Sequence, residues 1–182
     1  HSVNGGLWGE LVRNRSFEEP PAPSYVRDGA LYQECLGRPT VCAFFGDPAW
    51  TDVELSLEAE RLEGTQGFRF ALRAASDDTF CWYKVSHIGP ENRWYHVLER
   101  RTDGGAFEEV GPRHYATVET GRRYRYRLRC EGPRVLVWLD DELVADWSGL
   151  GPRHARGRVG IGSNWAFARF LDIRVTGLDG TV

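Results

Sequence analysis

The sequence predicts an all-β fold, a two-sheet antiparallel jelly-roll sandwich with a short N-terminal helical segment. Apolar and polar residues alternate over many short runs, as they do in strands that bury one face. Turn-forming residues separate these runs at intervals of roughly 8 to 14 residues, a spacing typical of sandwiches and barrels. The 182 residues suit one domain of ordinary size, and a hydrophobic fraction of 41% is enough to form its core.

The clearest predicted strand runs from Asp52 to Glu60. Its odd-numbered residues are apolar and its even-numbered residues are polar, so one face should meet the core and the other should meet water. Turn signals such as Asp103-Gly104-Gly105 separate the later runs. Further strands are predicted over residues 68–74, 80–87, 94–101, 123–130, 135–139, 143–147, 158–162 and 169–175.

The first nineteen residues differ from the rest because their apolar residues recur at helical spacing. The residues that share one helical face are Leu7, Trp8, Leu11 and Val12. Three prolines between positions 20 and 23 would stop a helix there, since proline lacks the amide donor. We therefore predict a helical segment over 1–19, a connector over 20–34 and the sandwich module over 35–182.

The charge and hydropathy of the chain exclude several classes of partner. A net charge of −3 provides no positive field for phosphate backbones or anionic lipids, so we expect neither nucleic acid nor membrane as a partner. No apolar run is long enough to span a bilayer. Because the chain begins with His1 and contains no methionine, we expect an internal piece of a longer protein.

The four cysteines form an even number, which is compatible with two disulfides in an oxidising compartment. Cys35 and Cys42 enclose a turn and could close a small bridge. Cys81 and Cys130 lie in separate predicted strands, where two buried free thiols are an equally good expectation.

The segment from His1 to Glu18 resembles the segment after the first barrel strand of the family 51 α-L-arabinofuranosidases, which reads close to G-G-L-Y-A-E-L-[IV]-x-N-R-[AS]-F-E. Trp8 replaces the tyrosine. The matching residues are Gly5, Gly6, Leu7, Glu10, Leu11, Asn14, Arg15, Phe17 and Glu18. The resemblance implies a secreted bacterial parent enzyme that degrades polysaccharide. The family's acid/base lies in an Asn-Glu-Pro motif, which is absent here, so the resemblance gives this chain no catalytic residues.

From roughly Cys35 to Gly180 the chain resembles the concanavalin A-like, laminin-G-like sandwiches found beside or inside many glycosidases. The residues from Gly157 to Gly162 and from Ala168 to Val175 are similar to the closing pattern of that group, with Leu171 in place of its first acidic residue. The resemblance implies an accessory module whose natural partner is the remainder of the parent hydrolase.

Sandwiches of this kind often hold one structural calcium ion, bound by carboxylate and backbone oxygens. Asp47 and Asp172 are the candidate ligands, and we expect no other cofactor.

Sugar recognition requires an aromatic face beneath the sugar ring and planar polar side chains for its hydroxyls. The predicted ligand-binding residues are Trp82, Lys84, His87, Arg93, Trp94, His96 and Trp165. Lys84, His96 and Arg100 suggest a solvated face, so we predict that their side of the two central strands points outward. That prediction places Phe80, Trp82, Lys84, Ser86, Trp94, His96, Leu98 and Arg100 outside, Tyr83, Val85, Tyr95 and Val97 in the core, and Trp50, Trp138 and Trp147 among the packing residues.

Three functions compete. The first is a carbohydrate-binding module that holds its parent enzyme on a plant-type polysaccharide such as arabinoxylan or arabinan. The second is a structural sandwich that packs on the catalytic barrel. The third is a glycosidase that uses the acidic strand from Asp52 to Glu60, since retaining glycosidases need two carboxyl groups about 5 Å apart.

Overall fold

The computed structural model describes residues 15–16, 24–37 and 40–178, which form two antiparallel sheets of seven strands each. The strands are β1 (Arg15–Ser16), β2 (Ser24–Arg27), β3 (Ala30–Glu34), β4 (Val41–Phe45), β5 (Val53–Gly64), β6 (Phe68–Ser76), β7 (Thr79–Ile88), β8 (Arg93–Arg101), β9 (Glu108–His114), β10 (Arg123–Glu131), β11 (Arg134–Leu139), β12 (Glu142–Ser148), β13 (Arg158–Ser163) and β14 (Ala166–Gly177). Two single-turn 3-10 helices cover Gly89–Glu91 and Pro152–His154. The predicted all-β sandwich is confirmed.

The first sheet has the strand order β1-β4-β13-β6-β7-β8-β9, and the second has the order β12-β11-β10-β5-β14-β3-β2. Neighbours that are distant in sequence, such as β13 beside β4, give the crossed connections of a jelly roll. Among the described residues, no helix is long and apolar enough to cross a membrane.

All nine strands predicted from alternation are present as β5 to β8 and β10 to β14. Most of the predicted helical segment 1–19 lies outside the described residues. Arg15 and Ser16 do not continue a helix, because they pair with β4 as a strand. Residues 24–34, assigned to the connector, form the β2–β3 hairpin at the edge of the second sheet.

The core lies between the two sheets and is centred on aromatic rings. Phe170 of β14 meets Phe68 and Phe70 of β6 edge-on, with ring centroids 5.8 and 6.2 Å apart. Tyr126 of β10 lies 4.8 Å from Phe70. As predicted, Trp50 and Trp147 pack at the margin of this cluster. These contacts join both sheets through side chains that alternate along their strands, as face-to-face sheet packing requires.

The outer face of the second sheet carries a lattice of ion pairs. The Glu54 carboxylate lies 2.7 Å from Arg129, and Glu58 lies 3.6 Å from Arg123. Glu60 accepts a short hydrogen bond from Arg169. The acidic strand therefore does face outward, but arginines from both neighbouring strands neutralise its carboxylates. This pairing gives the glycosidase interpretation no support.

Trp138 belongs to the same outer face rather than to the core, in contrast to its predicted packing role. The guanidinium carbon of Arg127 lies 3.9 Å from the centre of its ring.

All four cysteines are buried thiols, so the bridge that Cys35 and Cys42 could have closed is not formed. Cys42 instead packs with Phe80 and Trp82 on the outer side of the first sheet. Burial raises the pKa of the Cys42 and Cys81 thiols, and it raises the pKa of Cys130 to about 12, which leaves these thiols protonated at neutral pH.

His96 lies inside the sandwich, contrary to its predicted position on the outer face. Its side chain is 0% exposed and pairs in register with Val85, a core residue. The ring packs beside Tyr83 and Tyr126, and its Nε2 lies 3.0 Å from the carbonyl oxygen of Ala116. Because burial disfavours the charged imidazolium, the pKa of His96 falls from 6.5 to about 4.

Phe170→Ala should lower the free energy of unfolding by about 3–5 kcal/mol, because it leaves a cavity among the central rings. Phe167, three residues earlier on the same strand, is half-buried beside Tyr32 and provides the matched control. We expect Phe167→Ala to cost about 1 kcal/mol. Urea unfolding of both variants measures the difference, and equal losses would contradict the position assigned to the core.

His96 should make the fold sensitive to acid. Its pKa is lower in the folded state, so the unfolded chain binds the proton more tightly, and stability is fully present above about pH 6.5 and is lost as the pH falls towards 4. The loss contributed by this group reaches about 3 kcal/mol. His96→Gln should therefore lose less stability than the native chain between about pH 7 and pH 4.5 in urea unfolding. An unchanged pH profile would show that His96 is not held neutral.

Candidate functional site

The register of β7 against β8 determines which side chains reach the outer face of the first sheet. Residues that are directly opposite in an antiparallel pair point to the same face. Trp82 is opposite Glu99, Lys84 is opposite Val97, and Ser86 is opposite Tyr95. These six residues therefore face outward, away from the second sheet.

Glu99 links the two strands through both of its carboxylate oxygens. The indole Nε1 of Trp82 donates to one oxygen at 2.7 Å, and the Lys84 ammonium donates to the other at 2.5 Å. The Glu99 side chain is only 7% exposed, so these two donors stabilise a nearly buried charge.

The contacts continue onto β9, the edge strand of the sheet. Glu109 lies 3.5 Å from the Lys84 ammonium and receives two hydrogen bonds from Arg113, at 2.8 and 2.9 Å. The Arg113 guanidinium also lies 4.3 Å from the centre of the Tyr95 ring, and Lys84 lies 5.3 Å from the same centre. We call the set Trp82, Lys84, Tyr95, Glu99, Glu109 and Arg113 the outer-face network.

Contacts within the network shift the pKa values of Glu109 and Lys84. The hydrogen bond from Arg113 lowers the pKa of Glu109, and the charge of Lys84 lowers it further. Burial alone would lower the pKa of Lys84, but hydrogen bonds to Glu99 and Tyr95 outweigh burial and the pKa is raised. Within these six residues two basic side chains face two acidic ones, and the buried guanidinium of Arg69 lies on the same face.

Glu109 and Arg113 are the accessible part of the network, with side chains 32% and 37% exposed. Their carboxylate and guanidinium groups can accept and donate paired hydrogen bonds of the kind that adjacent sugar hydroxyls make.

Trp82 supports this face from within the sheet surface, since it is only 3% exposed. Phe107, from the loop between β8 and β9, stacks on the indole at 5.0 Å with the rings nearly parallel. The guanidinium of Arg69 lies 5.5 Å from the same ring and donates to the hydroxyl of Ser86 at 3.1 Å. Burial lowers the pKa of Arg69 to about 10. Trp82 therefore orients Glu99 rather than offering an open stacking surface.

The predicted facing is right for β7 and wrong for β8. Tyr83 and Val85 are core residues, as predicted. Tyr95 and Val97, which were assigned to the core, face outward because they pair with Ser86 and Lys84. The other side of β8 was assigned outward but points inward: it holds Trp94, His96, Leu98 and Arg100, of which Leu98 joins the core and Arg100 reaches the Gly149 carbonyl.

Three of the predicted ligand-binding residues lie instead where β7 turns into β8. The His87 ring packs 5.1 Å from Trp94, and its Nε2 lies 3.2 Å from the Asn92 side chain. Arg93 pairs with Glu91 at 2.9 Å and lies over the ring of Tyr115. These contacts belong to one end of the sandwich rather than to the outer-face network.

Trp165 occupies the turn from β13 to β14 at the same end. Its carbonyl oxygen accepts the amides of Thr65 and Gln66 at 3.0 and 3.4 Å. The Gln66 side chain in turn exchanges two hydrogen bonds of 2.9 Å with the backbone of His87. The predicted ligand-binding residues thus divide into an outer-face pair, Trp82 and Lys84, an end group of His87, Arg93, Trp94 and Trp165, and the buried His96.

Sequence reasoning missed four members of the network, namely Tyr95, Glu99, Glu109 and Arg113. Glu99 could have been found from the strand register. It lies two residues after Val97, the partner of Lys84, and therefore on the same face as Lys84. Glu109 and Arg113 lie on β9, whose Gly111 and Pro112 conceal a strand in the sequence.

The described residues contain no group of three or more histidine, cysteine or acidic side chains placed to hold a metal ion. Asp47 caps its own turn by accepting the Ala49 amide at 2.7 Å. Asp172 lies 4.0 Å from Arg174. A structural calcium at Asp47 or Asp172 stays a prediction without support from this geometry.

Comparison with known proteins agrees with this architecture. A carbohydrate-binding module, CBM66 from Bacillus subtilis, superposes with a TM-score of 0.72 at 14% identity, over 86% of this chain and 92% of that one. LamAcat from Zobellia galactanivorans gives a TM-score of 0.57 at 13% identity, over 84% of this chain and 79% of that one. At these identities the likeness concerns the fold.

Sequence comparison gives a relative and a family. An extracellular exo-alpha-L-arabinofuranosidase from Streptomyces chartreusis is 27% identical over 128 residues, which is 69% of this chain and 14% of that enzyme. This relative agrees with the resemblance to arabinofuranosidases, although the chain spans only a small part of its length. The model of the 3-keto-alpha-glucoside-1,2-lyase-like domain matches residues 4–176, across the boundary predicted near residue 20. This chain therefore belongs to the family of 3-keto-alpha-glucoside-1,2-lyase-like domains.

Proposed function

We propose that this chain is a non-catalytic carbohydrate-binding module of a secreted α-L-arabinofuranosidase-type hydrolase, and that its outer-face network binds a plant-type polysaccharide. The observation that carries the proposal is the network itself: accessible, charge-balanced hydrogen-bonding groups beside aromatic rings on a sheet face. The fold shared with a carbohydrate-binding module supports it, and the arabinofuranosidase relative supports the choice of parent enzyme.

The balance of charge favours a neutral ligand. At the accessible edge of the network Arg113 is matched by Glu109, so an anionic polymer would meet repulsion as well as attraction. Sugar hydroxyls can both donate and accept, and they can bridge Glu109 and Arg113 without separating an ion pair. Arabinoxylan and arabinan are neutral polymers of this kind.

Binding would act by raising the effective concentration of the parent enzyme on its substrate. Such a role needs no catalytic group, and the network is poorly suited to proton abstraction. Glu109 has a lowered pKa and is a weak base, while the raised pKa of Lys84 keeps its ammonium protonated.

A purely structural sandwich is the main alternative, and the family description suggests a lyase acting on a 3-keto-glucoside as another. The three functions differ in simple assays. We expect retarded migration in gels that contain arabinoxylan or arabinan and no release of product from a 3-keto-disaccharide. Release of product would assign the network to catalysis.

Arg113→Ala and Glu109→Gln should each weaken polysaccharide binding about tenfold, which corresponds to about 1.4 kcal/mol. Each variant removes a group that contacts hydroxyls while leaving the buried Trp82–Glu99 hydrogen bond intact. Arg134→Ala is the matched control, because Arg134 forms an equivalent paired contact with Asp146 on the second sheet. Affinity gel electrophoresis and titration calorimetry measure the effect.

We expect the Arg134→Ala control to bind like the native chain. If the native chain is not retarded by any plant polysaccharide, the structural role replaces the binding proposal. Equal losses in Arg113→Ala and Arg134→Ala would place the binding surface elsewhere.

A further inference from the structure

Trp165 combines two features that packing does not explain. Its side chain is 43% exposed, although tryptophan is usually well buried. Its backbone φ is +45°, in the left-handed region that bulky side chains rarely adopt. A tryptophan here therefore costs conformational energy and still leaves 43% of its surface exposed.

The other non-glycine residues with positive φ show how unusual this position is. Six of them are aspartate or asparagine, the residues that tolerate this conformation best: Asp28, Asn92, Asp103, Asp140, Asp141 and Asp172. The seventh is Arg73, which is 1% exposed and donates to Asp52 at 2.9 Å and to the Gly132 carbonyl at 3.1 Å. Arg73 thus has a structural reason for its conformation. Within the described part of the chain, the Trp165 ring has no stacking or cation contact.

The turn holds the Trp165 backbone in place rather than leaving the ring to move freely. Its carbonyl accepts the Thr65 and Gln66 amides, and the absence of a side chain at Gly64 makes that approach possible, since a Cβ there would lie 2.3 Å from the Trp165 oxygen. Asn164, the preceding residue, donates its amide to Gly67 and accepts the Thr40 hydroxyl at 2.9 Å. Backbone hydrogen bonds with Thr65, Gln66 and Gly67 therefore hold the strained turn in place.

This end of the sandwich carries several uncharged hydrogen-bonding side chains in addition to the Arg93–Glu91 ion pair. Thr40 donates to the side chain of Asn164, the residue before Trp165, and Gln66, whose amide is bound by the Trp165 carbonyl, donates its side-chain amide to the His87 carbonyl. Asn92 follows His87 at 3.2 Å. Amides and hydroxyls near an exposed indole match the polar edge and apolar face of a sugar ring.

We propose that Trp165 forms a second sugar-binding subsite at this end of the sandwich, distinct from the outer-face network. The proposal rests on the proposed function, since it concerns the same neutral polysaccharide. A single exposed ring is too small for a protein partner, because stable protein interfaces bury about 800 Å² on each side. The exposed face of one indole ring is instead large enough for one stacked sugar residue. A module with two subsites binds long chains more tightly than short ones, because the second contact is intramolecular.

Trp165→Asn tests the subsite, since asparagine suits the left-handed turn. We expect the melting temperature to stay the same or rise, while binding of long arabinoxylan fragments measured by calorimetry weakens about threefold to tenfold. Binding of a disaccharide at the outer-face network should not change. Trp165→Phe keeps an aromatic face and should retain most of the affinity for long fragments.

The outcomes separate this proposal from the function it rests on. A native chain that binds no plant polysaccharide would overturn both. If Arg113→Ala loses binding while Trp165→Asn binds long fragments like the native chain, only the second subsite is refuted. A clear fall in the melting temperature of Trp165→Asn would also overturn it, because the ring would then be a packing residue.

Discussion

The antiparallel register of β7 against β8 is the constraint on which the outer face depends. Because opposite residues share a face, pairing Trp82 with Glu99 places an indole donor and a carboxylate side by side. The same register sends Tyr83 and Leu98 into the core. A slip of one residue would bury Glu99 and expose Leu98, so the core and the outer-face network are specified together. Any change of register that displaced the outer-face network would therefore also disrupt the core.

The sequence predicts a strand well wherever one face of that strand is exposed to solvent. β10 alternates throughout and β5 alternates from Val53 to Ala59, because one side of each meets the arginine and glutamate lattice. β3 and β4 were not predicted as strands. Nearly all of their residues are buried on both faces, so apolar and polar residues do not alternate along them. β4 is covered on its outer side by the cluster around Phe80 and Trp82, which only the assembled sheet reveals.

The candidate site was less predictable because charge is a poor guide to facing. Lys84, His96 and Arg100 were assigned together to a solvated face. His96 is instead neutral in the core, and Arg100 extends to the margin of the sheet, where it donates to the Gly149 carbonyl. A histidine that stays uncharged can be buried when one nitrogen meets a carbonyl, as His96 does with Ala116. The charged residues of β8 therefore do not show which of its two sides points outward. Only the pairing of β8 with β7 shows this.

The two outer faces use the same residue types with different consequences. On the second sheet, Glu54 lies between β10 arginines at 2.7 and 3.8 Å, and its side chain is only 18% exposed. On the first sheet, Glu109 and Arg113 lie on β9, an edge strand to which only β8 hydrogen-bonds among the described residues. Their side chains are 32% and 37% exposed, about twice as accessible as the Glu54 side chain. The Arg134–Asp146 pair also involves an edge strand, β12, so the proposed surface differs from it by the link from Glu109 through Lys84 to the buried Glu99 rather than by edge position.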